Sequence, residues 1–381
     1  MTRWYVSAGC AIVLAALAIS LVASAPVSLT EGLTAGKVEL KSAGALAFGP
    51  DGVLFVGDSL GGSVVEIDTG DRTPAHAGAK INVDGVDAKI AAMAGIAPEQ
   101  IAITDVKVNP VSKNAYLSVS RGRGPEAIPM IVRVDAAGAV TIVSLDNIRH
   151  ASVSLKDVPG PRPGARQDPR MMTITDMSYV DGRLLVAGLS NEEWSSALRS
   201  IPVPFKEADR ASTLQIWHTS HGRYETESPV RTFVPYTISG KEYVLAAYTC
   251  TPLVKIPVSD LKAGAKVKGA TIADLGAGNQ PLDMVPYRKD GHEFILVANS
   301  SRGLVKLQAD KLESYSAIDS PTKVDGPAGV PYETLPLKNV QQLAALDQAN
   351  ALVLTGKPGP GPAYAPGPAA GPLNLQTIAL P

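Results

Sequence analysis

Residues 42–68, "SAGALAFGPDGVLFVGDSLGGSVVEID", carry three short apolar runs separated by polar turns. Each run has the length and alternation of a strand, and Pro50-Asp51-Gly52 supplies the turn between the first two. The pattern returns along the chain. It is read again in "DVKVNPVSKNAYLSVSR" from Asp105, "DMSYVDGRLLVAGLSN" from Asp176, "TFVPYTISGKEYVLAAYTC" from Thr232, "DMVPYRKDGHEFILVANSS" from Asp283 and "QLAALDQANALVLTG" from Gln342. A third run, "SVVEID", "MIVRVD", "ALRSIPV", "PLVKIPV" or "GLVKL", follows in five of the six copies. The equivalent positions Ala45, Asp105, Asp176, Thr232, Asp283 and Gln342 are 51 to 71 residues apart, room for a four-stranded unit with variable loops.

A sheet of this size cannot bury both faces by itself, whereas six of them stacked round an axis can. The pattern therefore predicts an all-β, six-bladed β-propeller. Turns such as Asp181-Gly182 and Asp290-Gly291 break the apolar runs too early for a helical solenoid. One helical insertion is predicted at "VDAKIAAMAGIAPEQ", residues 86–100, between the first and second repeats. Residues 356–372 are too rich in Pro and Gly to pack as strand or helix and are expected to form a surface loop. Beyond them "LNLQTIAL", residues 373–380, resumes as a strand; it or "KVELK", residues 37–41, is expected to close the ring against strands from the opposite end of the chain. "PGPRPGARQDPR", residues 159–170, is expected to link the second and third blades.

"ALAFGPDGVLFVGD" followed by "SVVEID" resembles a blade of the NHL-repeat and gluconolactonase-like six-bladed propellers. The resemblance covers the strand grammar of nearly the whole mature chain and is specific in the first repeat. It implies a six-bladed ring with any site at the mouth of the central channel. The lactonase branch further implies a divalent cation held by Glu and Asn. Ala43, Gly44 and Ala45 stand where that branch places a metal-binding Glu, so the resemblance implies the fold and not the activity.

The ends of the chain change the compartment expected for this ring. Residues 1–25 carry a single charge, Arg3, then an apolar run closing on Ala23-Ser24-Ala25, the pattern of an export signal. Pro26 is a poor residue to follow such a cut, and the uncharged run from Trp4 to Ala25 is long enough to remain as a membrane tether. Ser7 precedes Cys10 where a lipid-attachment motif wants Leu or Val. The predicted mature chain, residues 26–381, is periplasmic or secreted, with a membrane association only if the leader is retained. Cys250 is then its one cysteine, so no intramolecular disulfide supports the fold. Acidic and basic side chains nearly balance, without a basic cluster, which argues against nucleic acid as a partner. A monomer binding a small-molecule ligand or a protein partner is expected.

In such a ring, the starts of the inner strands and the ends of the second strands lie on one face. The starts contribute Asp105, Asp176 and Asp283 as candidate metal ligands, with Gln342 beside them, and their oxygens favour a hard cation such as calcium. Backbone N–H groups of the neighbouring blade are the alternative partners for these carboxylates. The second-strand ends contribute Asp58, Arg121, Asn191, Glu192, Cys250, Asn299 and Arg302 as candidate ligand-binding residues. A second cluster lies in "LQIWHTSHGRYETESPVRTF", residues 214–233, where His218 and His221 are followed by Glu225 and Glu227. These histidines are candidate general bases, and with Cys250 they suit zinc or copper. Two functions follow: an exported propeller binding a cation or small ligand at its channel mouth, or a metal-dependent hydrolase of lactone or ester type. No Gly-x-Ser-x-Gly elbow, phosphate-cradling glycine loop or Cys-x-x-Cys pair is present.

Overall fold

A computed structural model describes Met1 and residues 28–381 except 163, 166, 251, 321–326 and 364–366; the predicted export signal thus lies almost wholly outside the described residues. Six sheets, antiparallel but for a short parallel pairing of Lys266–Lys268 with Ser212–His218, surround a central channel, each led by an inner strand: Leu46–Phe48, Ile101–Val108, Asp176–Val180, Thr232–Ile238, Pro281–Lys289 and Val340–Ala345. The protein is a six-bladed β-propeller. The blades are numbered 1 to 6 in chain order. The helix predicted between the first two repeats forms over Val86–Ala94 (α1) and stops at Gly95, whose φ of 68° supplies the left-handed cap that glycine accepts without strain. Among the described residues no helix is long and apolar enough to cross a membrane.

Alternation along the strands explains why the sheets stack. In blade 1, Leu54 and Val65 pack against Tyr116 and Ile131 of blade 2, while their neighbours Phe55 and Val64 face Met177, Leu184 and Val186 of blade 3. Each sheet thus buries both faces, and each buried side chain removes roughly 1.5–3 kcal/mol worth of apolar surface from water. Six such clusters fill the six junctions: 1 with 3, 3 with 4, 4 with 5, 5 with 6, 6 with 2, and 2 with 1.

The ring order is therefore 2-1-3-4-5-6 rather than the order of the chain. After three strands of blade 1 the chain crosses to build blade 2, then returns so that Ile148–Ser154 completes blade 1 against Ser63–Asp68. The segment 159–170, expected to join blades 2 and 3, accordingly leads from the returned edge of blade 1 into blade 3. Ring closure also draws on distant segments. Blade 6 takes its third strand from the chain end, Ala370–Ala379, and its outer strand from Asn82–Val83, just before α1. The expected segment 37–41 is not a strand, although Val38 N donates to Leu145 O at 2.8 Å. Asp87 of α1 tightens the closure by accepting from Leu373 N at 2.9 Å.

Candidate functional site

The equivalent position of the inner strand carries a polar side chain in five of six blades, and three of these are aspartates that line one cavity at the channel mouth. The cavity, of about 310 Å³, brings together Asp105, Asp176, Asp283 and Gln342 with Lys107, Thr104 and Arg231. Most of the aspartate oxygens are already engaged. Asp105 accepts from Leu46 N of blade 1 at 2.7 Å and from Val106 N at 2.7 Å. Asp176 accepts from Phe233 N and Thr232 Oγ1 of blade 4 at 2.8 and 2.9 Å, and from Met177 N at 2.8 Å. These two carboxylates latch each blade to the next, each bond to a charged acceptor contributing roughly 1.5–3 kcal/mol.

Asp283 differs in that it reaches across the channel. Its two oxygens accept from Lys107 Nζ at 3.2 and 3.0 Å, and Lys107 also stands 3.5 Å from Asp105. Lys107 lies two residues after Asp105 in the inner strand of blade 2, so period-two alternation points both at the channel. That Asp-x-Lys spacing is the signal by which sequence reasoning could have found the lysine. Burial works against the ammonium, but the fields of Asp105, Asp283 and Asp176 outweigh it and hold its pKa above the usual lysine range. Burial raises Asp176, and raises Asp283 to about 7, with the neighbouring carboxylates adding to the effect and Lys107 opposing it. A calcium ion would need oxygens that backbone N–H groups and an ammonium already hold, so the donor set is a poor fit for a six- to eight-coordinate cation. Neither His218 nor His221 lines this cavity, which separates the aspartates from the proton carriers that the hydrolytic alternative assigned to them.

The second-strand ends do not form one ring of free side chains. Asp58 accepts from Lys41 N, Ser42 N, Ser42 Oγ and Gly61 N at 2.8–2.9 Å and so shapes the entry to blade 1. Asn299 donates to Asn279 and accepts from Ser301 N and Arg302 N, closing its own turn. Arg302 donates to Leu275 O, Glu192 pairs with Arg210 on the surface, and Asn191 is exposed, its N donating to Asp157 O. Arg121 ends its strand half-buried, with Nε lacking a partner. Gln342, from the inner strand of blade 6, does line the mouth, donating to Thr104 O at 3.1 Å.

Cys250 instead joins the histidines. His218 ends the outer strand of blade 3, Ser212–His218, and Glu225 ends the short strand paired with it. Cys250 occupies the turn after the second strand of blade 4, at φ 63°, with its N donating to Asn279 O at 2.7 Å. One ligating atom from each of His218, His221 and Cys250 lies within 4.8 Å of the others. Glu225 bridges the two imidazoles, 2.6 Å from His218 Nδ1 and 2.5 Å from His221 Nδ1. Arg223 and Ser228 also donate to it. Burial opposes charge on His218, yet Cys250 and Glu225 together push it up to about 9, and His218 holds the Cys250 thiol below its usual range. Glu227 stands apart, paired with Arg223 at the surface.

No protein-family model matches the chain, and no curated protein does. Among solved structures it is similar to the hydrazine synthase of Kuenenia stuttgartiensis, at 14% identity over 83% of this chain and 93% of that one, with a TM-score of 0.38. It is also similar to the PQQ-bound aldose sugar dehydrogenase of Streptomyces coelicolor, at 10% identity over 91% of this chain and 97% of that one, with a TM-score of 0.28. At these levels neither likeness bears on the site.

Proposed function

We propose that the protein is a binding propeller of the extracytoplasmic space that holds a small, hydroxyl-bearing molecule of monosaccharide size at its channel mouth. The observation that carries this reading is the mouth cavity itself. Blades remote in sequence converge there on Lys107 and Asp283, and Ser42, Ser59, Thr104, Ser120 and Thr175 add hydroxyls to the wall. Concave sites with a few convergent polar groups are the usual form of small-ligand sites, and about 310 Å³ falls at the small end of their range. In this reading Lys107 donates to a ligand oxygen, Asp283 accepts from a ligand hydroxyl, and Gln342 sets the ligand's orientation at the rim. The leader-like run ending at Ala25 supports the compartment.

Calorimetric and thermal-shift titration against neutral sugars, sugar acids and sugar lactones tests the proposal. A binder is expected whose affinity falls at least about tenfold, roughly 1.4 kcal/mol, in Gln342→Ala. Absence of binding across all three classes, or binding indifferent to Gln342→Ala and Lys107→Arg, would refute it.

A further inference from the structure

We propose that His218, His221 and Cys250 form a second site, at the junction of blades 3 and 4, that binds a thiophilic transition-metal ion, zinc(II) or copper(I). Three features of the cluster point there. The donor set comprises two imidazoles and one thiol, with ligating atoms within 4.8 Å of one another, close enough for small side-chain shifts to bring them round one ion. His218 is only 1% exposed, and its Nε2 has no hydrogen-bond partner, a cost that a buried polar atom does not ordinarily carry. The Nδ1 atoms of both imidazoles are engaged by a single carboxylate, Glu225. Such a carboxylate keeps a proton on Nδ1 and makes Nε2 the nitrogen that ligates once its own proton has left, the arrangement found behind metal-bound histidines.

The surroundings suit a soft ion rather than calcium or magnesium. Cys250 is 9% exposed and His218 is 1% exposed, so two of the three ligands meet in a largely dry setting. His221 has a half-exposed side chain and supplies an entry path from solvent. The cluster is held from several directions: Thr271 Oγ1 of blade 4 donates to Trp217 O at 2.7 Å, and Ser228 Oγ donates to Glu225 at 3.0 Å. Two imidazoles and a thiolate make either a three-coordinate copper site or a zinc site with an open fourth position. Binding displaces to solvent the proton on His218 Nε2 and any proton on the Cys250 thiol, and the ion's charge state does not change.

Reduced, chelator-treated full-length protein titrated with Zn²⁺, and anaerobically with Cu⁺, against chromogenic competitors tests the site. One ion per chain is expected, and the ranking of the two affinities identifies which ion the site prefers. His221→Ala, at a half-exposed position that spares the core, is expected to weaken binding at least about tenfold. Glu225→Gln is expected to weaken it about 10- to 100-fold through ligand orientation alone. Co²⁺ loading is expected to give a thiolate charge-transfer band that Cys250→Ser abolishes. In the unaltered protein, Zn²⁺ is expected to slow alkylation of Cys250, a measurement that needs no variant. Failure to bind either ion, binding unchanged in His221→Ala, or alkylation indifferent to Zn²⁺ would overturn the proposal. Gln342→Ala is expected to leave metal affinity unchanged, because the two sites share no residue.

Discussion

Lys107 of blade 2 and Asp283 of blade 5 meet across the channel at 3.0 Å, although 176 residues separate them in the chain. Their contact replaces what would otherwise be three carboxylates facing one another in a confined space. Asp105 and Asp176 spend their oxygens chiefly on neighbouring backbone, and Asp283, which also accepts from Met284 N, gives both of its own to the ammonium. The aspartates are first a means of joining blades, and the lysine is what makes their convergence tolerable.

Removal of that ammonium is expected to be costly. Lys107→Met leaves buried acids without a counter-charge, a change that typically destabilises by about 3–5 kcal/mol. The loss is expected to be greater at pH 8 than at pH 5, because at the lower pH Asp283, already raised to about 7, can take up a proton instead. Chemical denaturation of the variant at both pH values measures the difference; an equal loss at each would contradict the electrostatic account.

Glu66 offers a separate pH dependence. It lies in the third strand of blade 1, is buried, and has Oε1 without a hydrogen-bond partner. Burial pushes its pKa up to about 7, whereas an unfolded glutamate stays near 4.5. Between these values the folded protein holds a proton that the unfolded chain has released. Stability is therefore full below about pH 4.5 for this group and is lost as pH rises through 7. The unaltered protein is expected to lose roughly 1–2 kcal/mol from this residue between pH 5 and pH 8, after allowance for screening. Glu66→Gln should flatten that slope and melt higher at pH 8. A slope unaltered by the substitution, read from melting temperatures across the window, would assign the dependence elsewhere.

Arg199 is expected to be the most sensitive structural charge in blade 3. It is 1% exposed, donates through Nε to Asp157 at 2.8 Å, and also reaches Thr173 O and Leu189 O. Asp157 in turn accepts from Ala211 N at 2.8 Å, so the pair ties the incoming linker to the blade. Arg199→Met should cost about 3–5 kcal/mol, chiefly by leaving Asp157 charged and unpaired. Urea denaturation measures it, and a loss below about 1 kcal/mol would show that the pair contributes little.

The number of blades and the identity of most strands were legible in the sequence, since turns and alternation are local properties. Gly95, Asp181-Gly182 and the paired apolar faces of Leu54 and Phe55 carry their meaning within a few residues. The start-of-strand rule likewise placed Asp105, Asp176 and Asp283 at one mouth. Tertiary structure alone decided that blade 1 stands between blades 2 and 3, because interchangeable apolar faces do not state which neighbour they meet. It alone decided that Asn82–Val83 would finish the last blade, that Lys107 would answer Asp283, and that Cys250 would leave the channel ring for His218 and His221. Each of these depends on how strands from different repeats are brought edge to edge and face to face. Alternation tells a side chain which face of its own sheet to occupy, and only the closed ring determines what stands opposite.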